Sequence, residues 1–116
     1  MNDSPLCAVG RTVDLVGGKW KAVILFYLLD DTLRFNELRR KIPSITQRML
    51  TLALRELEAD GLVERTVFPV VPPHVEYELT AFGRTLEPIL RAMREWGTRN
   101  KRRTERAIAE RRSLVA

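Results

Sequence analysis

The chain has 116 residues, 45% hydrophobic and 30% charged, which suits one globular domain burying roughly two-thirds of its unfolded surface. A single cysteine, Cys7, excludes an intrachain disulfide, and with a single histidine, His74, it cannot complete a His/Cys zinc site, so neither a metal nor a cofactor is expected. The net charge is +5; no apolar run nears the ~18 residues of a membrane span, and the start MNDSPL lacks a basic stretch leading into an apolar one, so a cytoplasmic protein without a membrane partner is expected.

Residues 7–16 place Val9, Val13 and Val16 at helical spacing, and Gly17-Gly18 breaks that helix. Residues 19–29 are apolar nearly all round and read as a central buried helix. A short helix over 36–42 follows, with Asn36 as its expected N-cap, Phe35 placed like half of a hydrophobic staple, and Pro43 as its stop. Ser44 or Thr46 can cap the next helix, which runs to about Asp60 before Gly61. Residues 62–68 and 75–80 read as two strands around a Pro-rich loop. Thr80 caps a last helix containing Phe82, Leu86, Ile89, Leu90, Met93 and Trp96, in which Pro88 marks a kink or a fresh first turn. Residues 1–98 make one domain; 99–116 form a basic tail, either a frayed helix or disordered.

The result is an α+β fold, mainly helical. A short helix, a tight turn, a longer helix and a two-stranded wing is the layout of a winged helix-turn-helix. In the longer helix Leu50, Ala53, Leu54 and Leu57 form one apolar stripe, while Arg48, Thr51, Leu52 and Arg55 repeat the same spacing on the opposite face. That face suits a major groove: Arg reads guanine with both arms of its fork, and a thymine methyl accepts apolar contact. Residues 1–98 balance 13 Lys+Arg against 13 Asp+Glu, yet 34–55 carry six basic residues against Glu37 alone. The whole net excess lies in 99–116, with seven basic residues against two acidic. A basic patch held by a fold is a polyanion signal. The expected DNA-contacting set is therefore Arg34, Arg39, Ser44, Thr46, Gln47, Arg48, Thr51, Leu52, Arg55 and His74. Each has a plainer reading as solvated surface; His74 is either an exposed loop histidine or a contact to the DNA backbone or minor groove.

Cys7…Asp14-Leu15-Val16-Gly17-Gly18-Lys19-Trp20, Arg34-Phe35-Asn36-Glu37-Leu38-Arg39, Leu54-Arg55-Glu56-Leu57-Glu58, Asp60-Gly61-Leu62-Val63 and Pro72-Pro73-His74-Val75-Glu76-Tyr77-Glu78-Leu79-Thr80 occur in this order. Together they resemble the HxlR-type winged-helix transcriptional regulators over residues 7–97. The resemblance implies a homodimeric bacterial DNA-binding repressor or activator, with extra N- and C-terminal helices forming the dimer. Here the dimer residues would be Val9, Val13, Phe82, Leu86, Ile89, Leu90, Met93 and Trp96, part of which can equally cover the domain's own core. A twofold dimer reads a pseudo-palindromic operator with half-sites ~34 Å apart. The resemblance also implies a small oxidant or electrophile as effector, acting on Cys7. A reactive thiol needs exposure and a helix N-terminus or nearby cation; Cys7 begins the first helix, with Arg11 one turn on, while the plainer reading is a small buried side chain. The chain departs from the family at Ala8, where Pro is usual, at Leu52-Ala53, and at His74, where Arg or Lys is common.

A second hypothesis is a protein-interaction module on the same scaffold without DNA. An enzyme is not expected: the chain has no glycine-rich phosphate loop, no nucleophile elbow and no second His or Cys for a dyad.

Overall fold

The computed structural model describes residues 4–115. Helix α1 (Pro5–Val16) is capped by Ser4, whose hydroxyl accepts from the Cys7 amide at 3.2 Å. Residues 17–20 turn the chain into α2 (Lys21–Tyr27). This helix is shorter than its apolar run predicts, because Leu28 and Leu29 are buried in the turn that ends it. Ile24 and Leu25 fill the centre of the core, whereas Val23 is exposed, so α2 is not enclosed on every side.

Residues Leu33–Arg34 form a strand, β1, where the sequence pattern predicts only a connection. Helix α3 (Phe35–Lys41) begins at once, one residue earlier than expected. Its cap is not Asn36: the Glu37 carboxylate accepts from the Arg34 amide at 2.8 Å, satisfying the helix start from its third position. Phe35 is therefore the first helical residue, packed against the core rather than standing before the cap. Ile42 and Ile45 are buried on either side of Pro43-Ser44 and pin the turn between α3 and the next helix.

Of the two candidate caps, Thr46 serves α4 (Gln47–Ala59), accepting from the Met49 amide at 3.1 Å. Leu50, Ala53, Leu54 and Leu57 are all buried, so the 3.6-residue stripe is the face that packs. Gly61, at φ +75°, supplies the left-handed turn that leads into the wing.

Strands β2 (Val63–Phe68) and β3 (His74–Leu79) pair antiparallel, and β1 adds to the far side of β3, giving the order β1-β3-β2. The wing thus belongs to a three-stranded sheet rather than a two-stranded one. Leu33 stands opposite Tyr77, and Val63 opposite Leu79; all four are buried. Thr80 joins the wing to the next helix. Its amide donates to the Leu62 carbonyl at 3.1 Å, and its hydroxyl accepts from Gly83 at 2.9 Å, capping α5 (Ala81–Arg84).

Pro88 opens a fresh first turn, being the second residue of α6 (Glu87–Arg99), where a missing N–H costs nothing. Arg91 ties α6 to the loop after α2 through Asp30 at 3.0 Å. Residues beyond Asn100 form α7 (Lys101–Val115), none of it buried. Among the described residues no helix is long and apolar enough to cross a membrane.

Candidate nucleic-acid interface

The short helix α3, the turn at 42–46 and α4 present one side of the domain, and the sequence dictates what reaches it. With Leu50, Ala53, Leu54 and Leu57 spent on the core, the opposite side of α4 carries Arg48, Leu52 and Arg55, all exposed, with Thr51 half-buried between them. Leu52 is 47% exposed, and Met49 lies beside this face, also exposed. The Thr51 hydroxyl donates to the Gln47 carbonyl at 2.9 Å, leaving its oxygen lone pairs as acceptors. Thr46 and Gln47 sit at the exposed start of the helix, and Ser44 is exposed in the turn before it.

The cations around this surface are unspent. Arg39, Arg40, Arg48 and Arg55 are exposed, and none forms an ion pair with a described residue. Arg34 is exposed where β1 meets α3. The nearby acids are few: Glu37 serves the α3 cap, Glu56 pairs with Lys21 of α2 at 2.5 Å instead of with Arg55, and Glu58 shares a cleft with Arg55. A dense positive surface with little compensation raises the local concentration of a polyanion.

His74 does not stand at the wing tip. It is the first residue of β3, opposite Phe68, and its ring stacks on Phe68 with centroids 4.8 Å apart. Its Nε2 lies 2.9 Å from Glu76 Oε2, so the side chain is engaged within the wing rather than free to reach outward. The tip is the stretch 69–73, and its most prominent side chain is Val71, 98% exposed. A run of Pro and Val offers no charge to notice, and the His74–Phe68 pairing depends on a register set by the loop's length.

The expected dimer set divides. Leu90 is 2% exposed and belongs to the domain's own core, the other of the two readings open to this set, and Leu86 is half-buried against that core. Val9, Val13, Phe82, Ile89, Met93 and Trp96 remain exposed. Cys7 is exposed in the first turn of α1. Its neighbours Ala8 and Arg11 line a cleft of about 300 Å³ with Phe82 and Leu86.

Sequence reasoning misses Arg65 and Tyr77. Both line a second cleft, of about 320 Å³, with Thr51, Arg55 and Glu58. The alternation Val63, Arg65 in a strand is the available signal, because residues two apart share a face.

Comparison with known proteins gives one answer. Residues 15–105 match the model of the HxlR-like helix-turn-helix family. An uncharacterised HTH-type transcriptional regulator of Bacillus subtilis (strain 168), YybR, is 61% identical over 95 residues, spanning 82% of this chain and 76% of that protein. The redox regulator HypR in its oxidised form superposes with a TM-score of 0.79 at 62% identity, covering 81% of this chain and 97% of that one. HypR in its reduced form gives the same TM-score at 59% identity over 84% of this chain and 97% of that one. A tight turn leading into a helix with one buried and one exposed face, beside a short wing, is the shared architecture, and the chain belongs to the HxlR-like helix-turn-helix family.

Proposed function

We propose that the protein is a homodimeric, sequence-specific DNA-binding regulator of transcription, acting in the cytoplasm and catalysing no reaction. The observation that carries this reading is the outward face of α4, with Arg48, Thr51, Leu52 and Arg55 left outside the core and the arginines without ion-pair partners among the described residues. A major groove about 12 Å wide admits one helix and offers guanine and the thymine methyl to these side chains. Arg34, Arg39, Ser44, Thr46 and Gln47 surround the start of α4 and take the flanking phosphates, which fix register without reading sequence. His74 braces the wing through Phe68 and Glu76 rather than touching DNA.

Two copies join through α1, α5 and α6. Val9, Val13, Phe82, Ile89, Met93 and Trp96 are large apolar side chains that one copy leaves in water, and an exposed apolar surface of this kind marks an interface. A twofold pair then spaces its two α4 helices about one turn of duplex apart, ~34 Å, on a pseudo-palindromic operator.

Cys7 switches the regulator. It is exposed on α1, one of the helices assigned to the dimer, and a structural relative with 62% identity is a redox regulator solved in its oxidised form. Two Cys7 thiols, one from each protomer, lose two protons and two electrons to an oxidant such as diamide, which becomes the hydrazine, and an S–S bond forms across the dimer. An electrophile instead adds to one Cys7 sulfur. Either event biases the angle between the two α4 helices.

The experiment is selection of bound sequences from a random DNA pool, with and without diamide, for the wild type and Cys7→Ser. The expected result is a palindromic consensus whose recovery changes with diamide only when Cys7 is present. Recovery of no consensus, with affinity insensitive to salt, would replace this reading with a protein-interaction module, since phosphate contacts impose a log–log salt slope of about −0.9 each.

A further inference from the structure

The cleft of about 320 Å³ lies between α4 and the base of the wing, lined by Thr51, Arg55, Glu58, Arg65 and Tyr77 among others. Strand register creates it. Arg65 stands opposite Tyr77 as Val63 stands opposite Leu79, so Arg65 shares the sheet face whose other members, Val63, Tyr77 and Leu79, are buried. An exposed arginine is thus carried on the face of the sheet that turns inward, at its open end beside α4. Arg55 comes to the same cleft from α4, one turn after Thr51.

Among the described residues, four polar groups there lack a partner: Arg55, Arg65, the Tyr77 hydroxyl and the carboxylate of Glu58. Neither Arg55 nor Arg65 forms an ion pair or side-chain hydrogen bond with a described residue, although Glu58 also lines the cleft. Tyr77 is 9% exposed, and its hydroxyl makes no hydrogen bond with a described residue. The Tyr77 ring is buried but its hydroxyl is not sealed off, so it opens on the cleft and can donate to a group seated there. Two exposed guanidinium groups brought to one concavity by different elements raise the positive potential there, against the single carboxylate of Glu58. The guanidinium fork matches a phosphate with two parallel N–H donors, a pairing that Lys does not reproduce.

We propose that this cleft seats one phosphate group, gripped by Arg55 and Arg65 with the Tyr77 hydroxyl donating a third hydrogen bond, and that the DNA backbone supplies it. The inference rests on the reading of α4 as the helix that meets DNA: a phosphate beside Thr51 and Arg55 flanks the groove that α4 enters. It makes Arg65 a positioning contact that locks the wing to the recognition helix only when duplex is present.

The test is fluorescence anisotropy of the full chain with operator and random duplexes across a range of NaCl concentrations. Arg65→Gln is expected to weaken both duplexes alike and to reduce the log–log salt slope by about 0.9 per protomer. Glu58→Gln removes the competing carboxylate and is expected to tighten both several-fold, a gain that misfolding cannot produce. In the DNA-free protein, sodium phosphate is titrated at constant ionic strength while the side-chain Nε signals of Arg55 and Arg65 are followed by NMR. Saturable shifts that vanish in Arg65→Gln, with an unchanged DNA slope, assign the seat to free phosphate and overturn the DNA source. Unchanged slopes and affinities in both variants, with no phosphate response, overturn the seat altogether. If Arg48→Ala weakens operator binding in that last case, the seat has failed and α4 has not. If the wild type binds no duplex, the α4 reading has failed, and the phosphate titration still judges the cleft.

Discussion

Arg48 is the second residue of α4, at the end that usually meets base edges, and it is both exposed and without an ion-pair partner among the described residues. On the proposed reading, removing it deletes a base contact without disturbing the core stripe on the other side of the helix. Arg48→Ala is expected to cost ~1–3 kcal/mol in operator binding and to relax one operator position, read by competition against operators altered base by base. Uniform weakening across all sequences would make Arg48 a phosphate contact instead. His74 is the opposite case. Its ring is held by Phe68 and Glu76, so His74→Gln is expected to leave operator affinity within about twofold at matched salt, while Val71→Arg, at the exposed tip, adds a phosphate contact and steepens the salt slope by about 0.9 per protomer. The difference explains which residues are legible in the sequence. Arg48 is readable because helix periodicity alone separates inside from outside. His74 and Arg65 are not, because their surroundings depend on which residue of β2 faces which of β3, and the irregular 69–73 loop hides that register.

At the scale of elements, the recognition unit is clamped by contacts that no periodicity announces. Helix α5 has four residues, and Gly83 within it is buried with its Cα against the Leu62 carbonyl, the same oxygen that accepts from Thr80. A methyl group at 83 would collide with that backbone oxygen, which cannot swing aside without breaking the Thr80 bond. Gly83→Ala is therefore expected to destabilise the fold by ~1–3 kcal/mol, in the range of overpacked cores. A thermal midpoint unchanged by circular dichroism would mean α5 sits further from Leu62. The sequence offers Thr80 as a cap but not this close approach. Strand β1 escapes for a related reason: two residues are too few to alternate, and Leu33 becomes a strand residue only because Tyr77 is opposite it. By contrast α4, its Thr46 cap and its Gly61 stop are readable, since capping chemistry and the apolar stripe are local.

At the scale of the molecule, two surfaces of the described residues stand unfinished, and each predicts something about assembly. The apolar one runs over α1, α5 and α6, with Trp96 62% exposed beside Met93 and Ile89. On the proposed reading, burying it in a twofold pair links two α4 helices, so loss of the pair also loses the avidity of two half-sites. Trp96→Glu is expected to yield a monomer in sedimentation and to weaken operator binding at least tenfold while leaving single half-site binding intact. The second surface is α7, whose six Lys and Arg face two Glu with no buried residue. Its start is organised by Thr104, whose hydroxyl donates to the Asn100 carbonyl at 2.8 Å. A helix that buries nothing in its own chain leans on local pairs along its own surface. Charge without a packed face cannot fix a register on DNA, so α7 is expected to add affinity without discrimination. Truncation after Asn100 is accordingly expected to lower affinity for random duplex several-fold and flatten its salt slope, while the ratio of operator to random binding rises. A fall in that ratio would show that α7 helps read the operator and would move it from the tail into the recognition surface.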